Sequence, residues 1–362
     1  MPVDGPVPWE RADHTGAKHD IYRRYLKRWF PILLDGAKPY RSVTYAEGFA
    51  GPGIYVGGHP GSPIIALQAL VDEVTNTSSL VKMLFVDDEP RCIKMLNEQF
   101  RSRFPVRPRT PDTLWSKVTL GTCIEKLESA LDEMDSWGQP ILAVLDSWGN
   151  VPVTYRLLKR LADNLSSEVI ITLGTQPFIR FVSKMGSDAD EVFGGDPTWR
   201  ALSDLPSGAA KRQHILTCYR QTLQRAGFKF LLDFELIDTR GESLYLVFGT
   251  NHRRGLEKMK DSAWEVDRVY GVGFRDPRDE QAEALFELTE PALAPLGRLL
   301  LIRLKSGPAA GMRIESLREF ALFETVYRPE HVIRTLRELR SQGLIDSDGQ
   351  ALTRSSIVRA TP

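Results

Sequence analysis

The sequence predicts an α/β protein, a doubly wound and mostly parallel sheet followed by a small helical module. Three observations carry this. Short apolar runs without polar alternation recur along the first two thirds of the chain, as strands buried on both faces require. Stretches long enough for crossover helices separate them. The 362 residues, 42% hydrophobic and 26% charged, suffice for a sizeable core divided into more than one domain.

The first element is an amphipathic helix over 17–34, within an N-terminal helical cap of residues 1–40. Tyr22, Tyr25, Leu26, Trp29, Ile32 and Leu33 recur at helical spacing, and Pro31 is expected to kink the helix. Lys18, Arg23, Arg24, Lys27 and Arg28 are left mostly outward, as a solvated face or a phosphate-facing one. Strands are expected at 43–46, 83–86, 118–120, 141–145 and 169–173, with helices at 63–70, 91–100, 123–134, 155–165 and 215–226 between and after them. Runs at 228–236 and 243–248 flank Arg240-Gly241 and read as a closing hairpin. Five parallel strands followed by an antiparallel pair is the order of a seven-stranded class I methyltransferase (Rossmann-like) sheet rather than a dehydrogenase. This domain is expected to span 41–284. Beyond 285, helices at 294–305, 313–323 and 329–342 and a two-stranded tail at 344–357 make a winged helix-turn-helix over 285–362.

Charge and cysteines narrow the function. Lysine plus arginine and aspartate plus glutamate both total 47, which excludes a globally basic nucleic-acid coat but leaves room for a regional one. From Ala292 to Pro362 there are 11 basic and 7 acidic residues, a net of +4, so the charge is regional. On the third helix of the module, Val332, Ile333, Leu336 and Leu339 are expected to face the core. Arg328, His331, Arg334 and Arg337 are then candidates for nucleic-acid contact, with Glu330 and Glu338 on the same face opposing it. Cys92, Cys123 and Cys218 have no metal-ligand or disulfide-framework spacing, so no metal is expected. The start of the chain carries no leader pattern and no run is long enough for a membrane span, so a cytoplasmic protein without membrane contact is expected.

The sharpest local signal is Glu47-Gly48-Phe49-Ala50-Gly51-Pro52-Gly53 at the end of the first strand. Glycines there let the backbone turn tightly and approach a nucleotide-like ligand, and Gly61-Ser62-Pro63 then starts a helix. Asp87 ends the second strand, where a carboxylate can accept both ribose hydroxyls of an adenosine or cap the next helix. At the end of the third strand the acid that often faces the adenine amine is missing, leaving Thr122 and backbone groups, with Cys123 as packing. Asp146 ends the fourth strand and is the first candidate to orient an acceptor, with Trp148 to stack a ring on it. Lys18 and His19, and Asn251 and His252, are candidates for the same crevice.

Lys18-His19 with Tyr25-Leu26 and Trp29, the Glu47 to Gly53 loop, Gly61-Ser62-Pro63, Asp146 with Gly149, Phe193-Gly194-Gly195-Asp196 with Trp199, and Leu244-Tyr245 before Asn251-His252 resemble, in this order, the three-Cys-motif partner (TcmP) family over about residues 17–265. Glu47 stands where Asp is commoner, and Ser147 where Pro is usual. The resemblance implies a class I methyltransferase-like fold, S-adenosylmethionine (SAM) as cofactor, and a partner protein bearing a three-cysteine motif of the radical-SAM type. Three functions follow as expectations. One is SAM-dependent methylation of nucleic acid, DNA ahead of RNA. Another is a DNA-repair or defence accessory that binds nucleic acid beside the three-cysteine partner without methylating. The third is methylation of a small molecule or peptide.

Overall fold

The computed structural model describes residues 6–35, 40–74, 77–104, 113–147, 149, 151–237, 243–268, 271–274 and 291–361. They divide into two compact units, residues 1–259 with 274–282 and residues 260–273 with 283–362. The expected boundary at 285 and the turn at Arg240-Gly241 lie outside the described residues.

In the first unit the order is α1 (Asp13–Leu34), β1 (Ser42–Glu47), α2 (Ser62–Glu73), β2 (Leu80–Asp87), α3 (Pro90–Arg103), β3 (Leu114–Leu120), α4 (Cys123–Glu133), β4 (Ile141–Leu145), α5 (Tyr155–Asp163), β5 (Glu168–Gly174), α6 (Gln176–Phe181), α7 (Asp188–Glu191), α8 (Gly208–Ala226), β6 (Phe230–Ile237) and β7 (Ser243–Thr250). The helix α9 (Arg253–Val266) runs across the division. Strand order in the sheet is 3-2-1-4-5-7-6, with a two-residue edge piece, β8 (Gly273–Phe274), beyond β6. The first five strands pair in parallel, and β7 runs antiparallel to both β5 and β6. This is the mixed, mostly parallel sheet of a Rossmann-like methyltransferase fold.

Every residue of β1, β4 and β5 is buried, which explains the apolar sequence of β4 and the apolar centre of β5, while Ser42, Thr44, Glu47, Glu168 and Thr172 are buried polar positions within β1 and β5. One face of the sheet carries Ala46, Leu84, Val86, Ala143, Leu145 and Ile171 into a cluster with α4, α5 and α8. Phe193, Trp199 and Tyr219 join it, Phe193 and Trp199 stacking at 5.2 Å and 17°. The Phe193 to Trp199 motif therefore builds core beneath short helices that the sequence pattern did not reveal. On α1, Tyr22, Tyr25, Leu26 and Trp29 are buried as expected, and the helix continues through Pro31 to Leu34.

The second unit holds α10 (Ala294–Lys305), β9 (Met312–Arg313), α11 (Ile314–Glu324), α12 (Pro329–Ser341), β10 (Ile345–Ser347) and β11 (Ile357–Ala360). Its described strands form an antiparallel sheet in the order β10-β11-β9, so Met312–Arg313 adds a strand to the expected pair. Lys260 is buried here, its Nζ donating to the carbonyls of Ala321, Leu322, Thr325 and Tyr327 at 2.5–3.2 Å. Burial pushes its ammonium down to about 7, and the carbonyls at the end of α11 work against that fall.

Two nucleic-acid candidates at the start of α12, Arg328 just before it and His331 in its first turn, are placed otherwise than expected. His331 faces inward, 5% exposed and edge-on to Trp264 at 4.5 Å. The helix start explains it: His331 Nδ1 accepts the Arg328 backbone N–H at 3.4 Å, which turns the ring back toward the core. Arg328 is taken up by Asp261 and by Glu330, at 3.9 and 3.0 Å. Arg334 and Arg337 are exposed, Arg334 lying 3.8 Å from Glu338.

No described helix is long and apolar enough to cross a membrane.

Candidate functional site

The carboxyl ends of β1, β2 and β4 open onto a cavity of about 780 Å³. Open α/β sheets bind ligands at this edge, where strand order reverses. Residues 48–53, Asp87, Thr122, Cys123, Lys18 and Asp146 all line it, so most of the expected cofactor and acceptor residues converge.

The glycine loop is held from two sides. Asp87 accepts the Gly51 N–H through Oδ2 at 2.7 Å and the Glu89 N–H through Oδ1 at 3.0 Å. Burial pushes this carboxyl above its ordinary value, and the two backbone hydrogen bonds draw it back. One carboxylate therefore braces the loop and still presents free lone pairs to the cavity. Gly51 and Gly53 have φ of +63° and +72°. A side chain at Gly53 would also meet Leu96 Cδ1 at 2.7 Å, so the turn needs glycine for conformation and for space.

Glu47 does not join the cavity wall. It is 1% exposed, and its carboxyl accepts from Tyr45 and Ser62 at 2.6 and 2.8 Å, tying the end of β1 to the start of α2. Contact with a cofactor, expected for this residue, gives way to bracing from beneath. Burial pushes its carboxyl up to about 8, the two hydrogen bonds pulling the other way. Its stabilising contribution is therefore complete below about pH 4.5 and is lost as pH rises through about 8. Glu168, buried at the start of β5 and pushed up to about 7, acts in the same direction. Melting temperature is expected to fall between about pH 5 and pH 9, and Glu47→Gln to flatten that fall without removing it.

At the end of β4, Asp146 forms a buried ion pair with Lys18, accepts from Thr172 at 2.9 Å, and has the Tyr22 hydroxyl at 3.5 Å. Lys18, expected outward, is instead 8% exposed because its charge is matched here. Burial alone would push the Asp146 carboxyl up. The charge and hydrogen bond of Lys18, helped by Thr172, outweigh it and hold the carboxyl below its ordinary value. Asp146 is thus an ionised acceptor of hydrogen bonds and a weak base. His19 lies outside the wall, between Tyr22 and Tyr55, with ring centroids at 6.1 and 5.6 Å. Burial lowers it to about 3, so it stands neutral, and its Nδ1 has no hydrogen-bond partner.

Thr122 caps α4 through the Glu125 N–H at 3.3 Å while lining the cavity. Cys123 is packed under Gly48, whose added Cβ would stand 2.6 Å from its Sγ, and burial pushes the thiol up to about 12. It is a packing residue rather than a nucleophile. Trp148 lies outside the described residues.

Asn251 and His252 are not in this crevice. Thr250 pairs with Glu168 at the start of β5, so the antiparallel β7 delivers them to the opposite edge of the sheet. There Asn251 accepts from the Lys229 N–H and donates to Ala162 O, and His252 lines a separate cavity of about 180 Å³ with Tyr25, Trp29 and Glu168.

Residues that sequence reasoning passed over complete the cavity. Trp9 and Glu10 come from the segment before α1, and Tyr55 follows the glycine loop. Trp9 and Tyr55 meet edge-on at 6.4 Å, and Trp9 O accepts the Val56 N–H, which ties the N-terminal segment over the loop. An aromatic residue among prolines at the N-terminus was the available signal.

No protein-family model matches this chain, and no curated protein matches it. Solved structures do, at low similarity. EvdMO1 is 14% identical with a TM-score of 0.33, over 66% of this chain and 42% of that one. The O-methyltransferase from Bacillus cereus in complex with SAH is 8% identical with a TM-score of 0.33, over 69% and 84%. The O-methyltransferase TomG from Streptomyces achromogenes, in complex with SAM, is 10% identical with a TM-score of 0.33, over 66% and 88%. This chain spans less than half the length of EvdMO1. Likenesses this distant carry no argument about chemistry, and the fold assignment rests on strand order.

Proposed function

We propose that the protein is a SAM-dependent methyltransferase. The observation that carries this is the cavity at the carboxyl edge of the sheet, where a side-chain-poor loop and Asp87 face one another and Asp146 closes the far wall. The residues fit SAM. The glycine loop would leave a nucleoside access to its backbone, Asp87 has lone pairs for ribose hydroxyls, and Thr122 and Ile124 line the same cavity. SAM supplies an electrophilic methyl group. The chain's own part is alignment and electrostatics: Asp146 accepts a hydrogen bond from the acceptor and favours positive charge that develops on it. Hydrogen exchange tests the reading. S-adenosylhomocysteine should slow exchange in residues 47–55 and 87–89, and an unchanged pattern would oppose it.

A second reading, nucleic acid bound as a ligand, with DNA ahead of RNA, is favoured by the second unit. Its helix, strand, helix, helix, strand, strand order suits a winged helix, and Arg334 and Arg337 are exposed on α12. The three-cysteine partner belongs with this reading and rests on the motif order that resembles the TcmP family. Binding of a duplex that weakens steeply with salt and with Arg337→Ala would support it.

A further inference from the structure

We infer that the acceptor is a small molecule carrying an amine, received among Glu10, Asp146, Trp9 and Tyr55, and not a nucleic acid. This rests on the SAM reading above and goes on to the substrate of the same cavity.

Charge is the first ground. Among the described wall residues the carboxylates are Glu10, Asp87, Asp88, Glu89 and Asp146, and the cation is Lys18. Asp146 is matched by Lys18, and Glu89 by Arg91 at 2.8 Å. Glu10, Asp87 and Asp88 leave a negative excess, with Glu10 and Asp88 exposed at the mouth. Arg11 acts both on His19 and on Tyr55 of the wall, offsetting one of these carboxylates, while Arg23 acts on His19 and is paired with Asp20 at 2.6 Å. Nucleic-acid sites neutralise phosphates with lysine and arginine at the rim. This rim has the opposite sign, so phosphates flanking a flipped base would face carboxylates.

Size and lining agree. A cavity of about 780 Å³ lies within the range of small-ligand pockets. Trp9 and Tyr55 line the cavity together with Glu10, a combination of aromatic ring and carboxylate that attracts an ammonium group. The amine enters as a cation and gives its proton to water. Its lone pair then forms the new N–C bond as the S–C bond breaks, with that electron pair returning to sulfur. Positive charge thereby moves from sulfur to nitrogen, toward Asp146.

The test is calorimetric, on the full chain saturated with S-adenosylhomocysteine, with two probes that share a ring and differ in charge: tyramine and 3-(4-hydroxyphenyl)propionate. Tyramine should bind at least roughly tenfold more tightly at low salt, Glu10→Lys should narrow that ratio, and a 20-base-pair duplex should not displace tyramine. Equal or tighter binding of the propionate, binding of neither probe at millimolar concentration, or displacement by the duplex would overturn the inference. Failure of S-adenosylhomocysteine itself to bind would instead overturn the SAM reading beneath it.

Discussion

Lys18→Met is expected to lower the stability of the protein by about 1–3 kcal/mol, because it leaves the half-buried Asp146 carboxylate without its cation. The same change with Asp146→Asn should recover much of that loss, since neither charge then remains uncompensated in the cavity wall. A double-mutant cycle by denaturant unfolding measures it. Near-additive single effects would mean that the pair is not coupled in solution. The cycle also bears on chemistry. With Lys18 gone, burial is the dominant influence on Asp146, and its carboxyl should move from below to above its ordinary value. Lys18 is therefore what keeps an acceptor-facing carboxylate ionised.

The second large effect is expected at Gly149, which follows Asp146 with φ of +93°. A Cβ there would stand 2.6 Å from the Gly174 nitrogen, and backbone cannot yield as a side chain would. Gly174 N–H also donates to Gly149 O at 2.9 Å, so this glycine pair fastens the loop after β4 to the end of β5. Gly149→Val combines a forbidden backbone region with that collision and should cost at least about 3 kcal/mol. The displaced loop should also weaken S-adenosylhomocysteine binding. Gly186→Ala, where nothing lies within 4 Å of the added atom, should stay within about 0.5 kcal/mol. Equal unfolding midpoints for the two variants would contradict the account of this loop.

Which parts of the molecule were legible follows from how each signal arises. β4 and the centre of β5 stand out because strands buried on both faces are largely apolar, and the glycine loop because its backbone angles demand glycine. The region from α6 to the start of α8 did not, since its helices are short and its information lies in aromatic stacking around Trp199. Lys18 reads as one more outward base on a helix, because its partner Asp146 lies 128 positions away along the chain. Asn251 and His252 follow a strand like the other site residues. An antiparallel strand, however, carries its end to the opposite edge, and only the pairing of Thr250 with Glu168 displays this. His331 satisfies the outward helical period, yet its hydrogen bond from the Arg328 N–H and the ring of Trp264 turn it inward. Local pattern thus reported local geometry well and missed what distant partners decide.

The most direct measurement is calorimetric titration of SAM and S-adenosylhomocysteine into the full-length protein and its Asp87→Ala variant. Both ligands should bind the native protein, and the variant should bind at least roughly tenfold more weakly. That loss corresponds to at least about 1.4 kcal/mol, the scale of hydrogen bonds between a carboxylate and ribose together with a loosened Gly51. Absence of binding to the native protein at millimolar concentration, or binding that Asp87→Ala leaves unchanged, would contradict the assignment of this cavity to SAM.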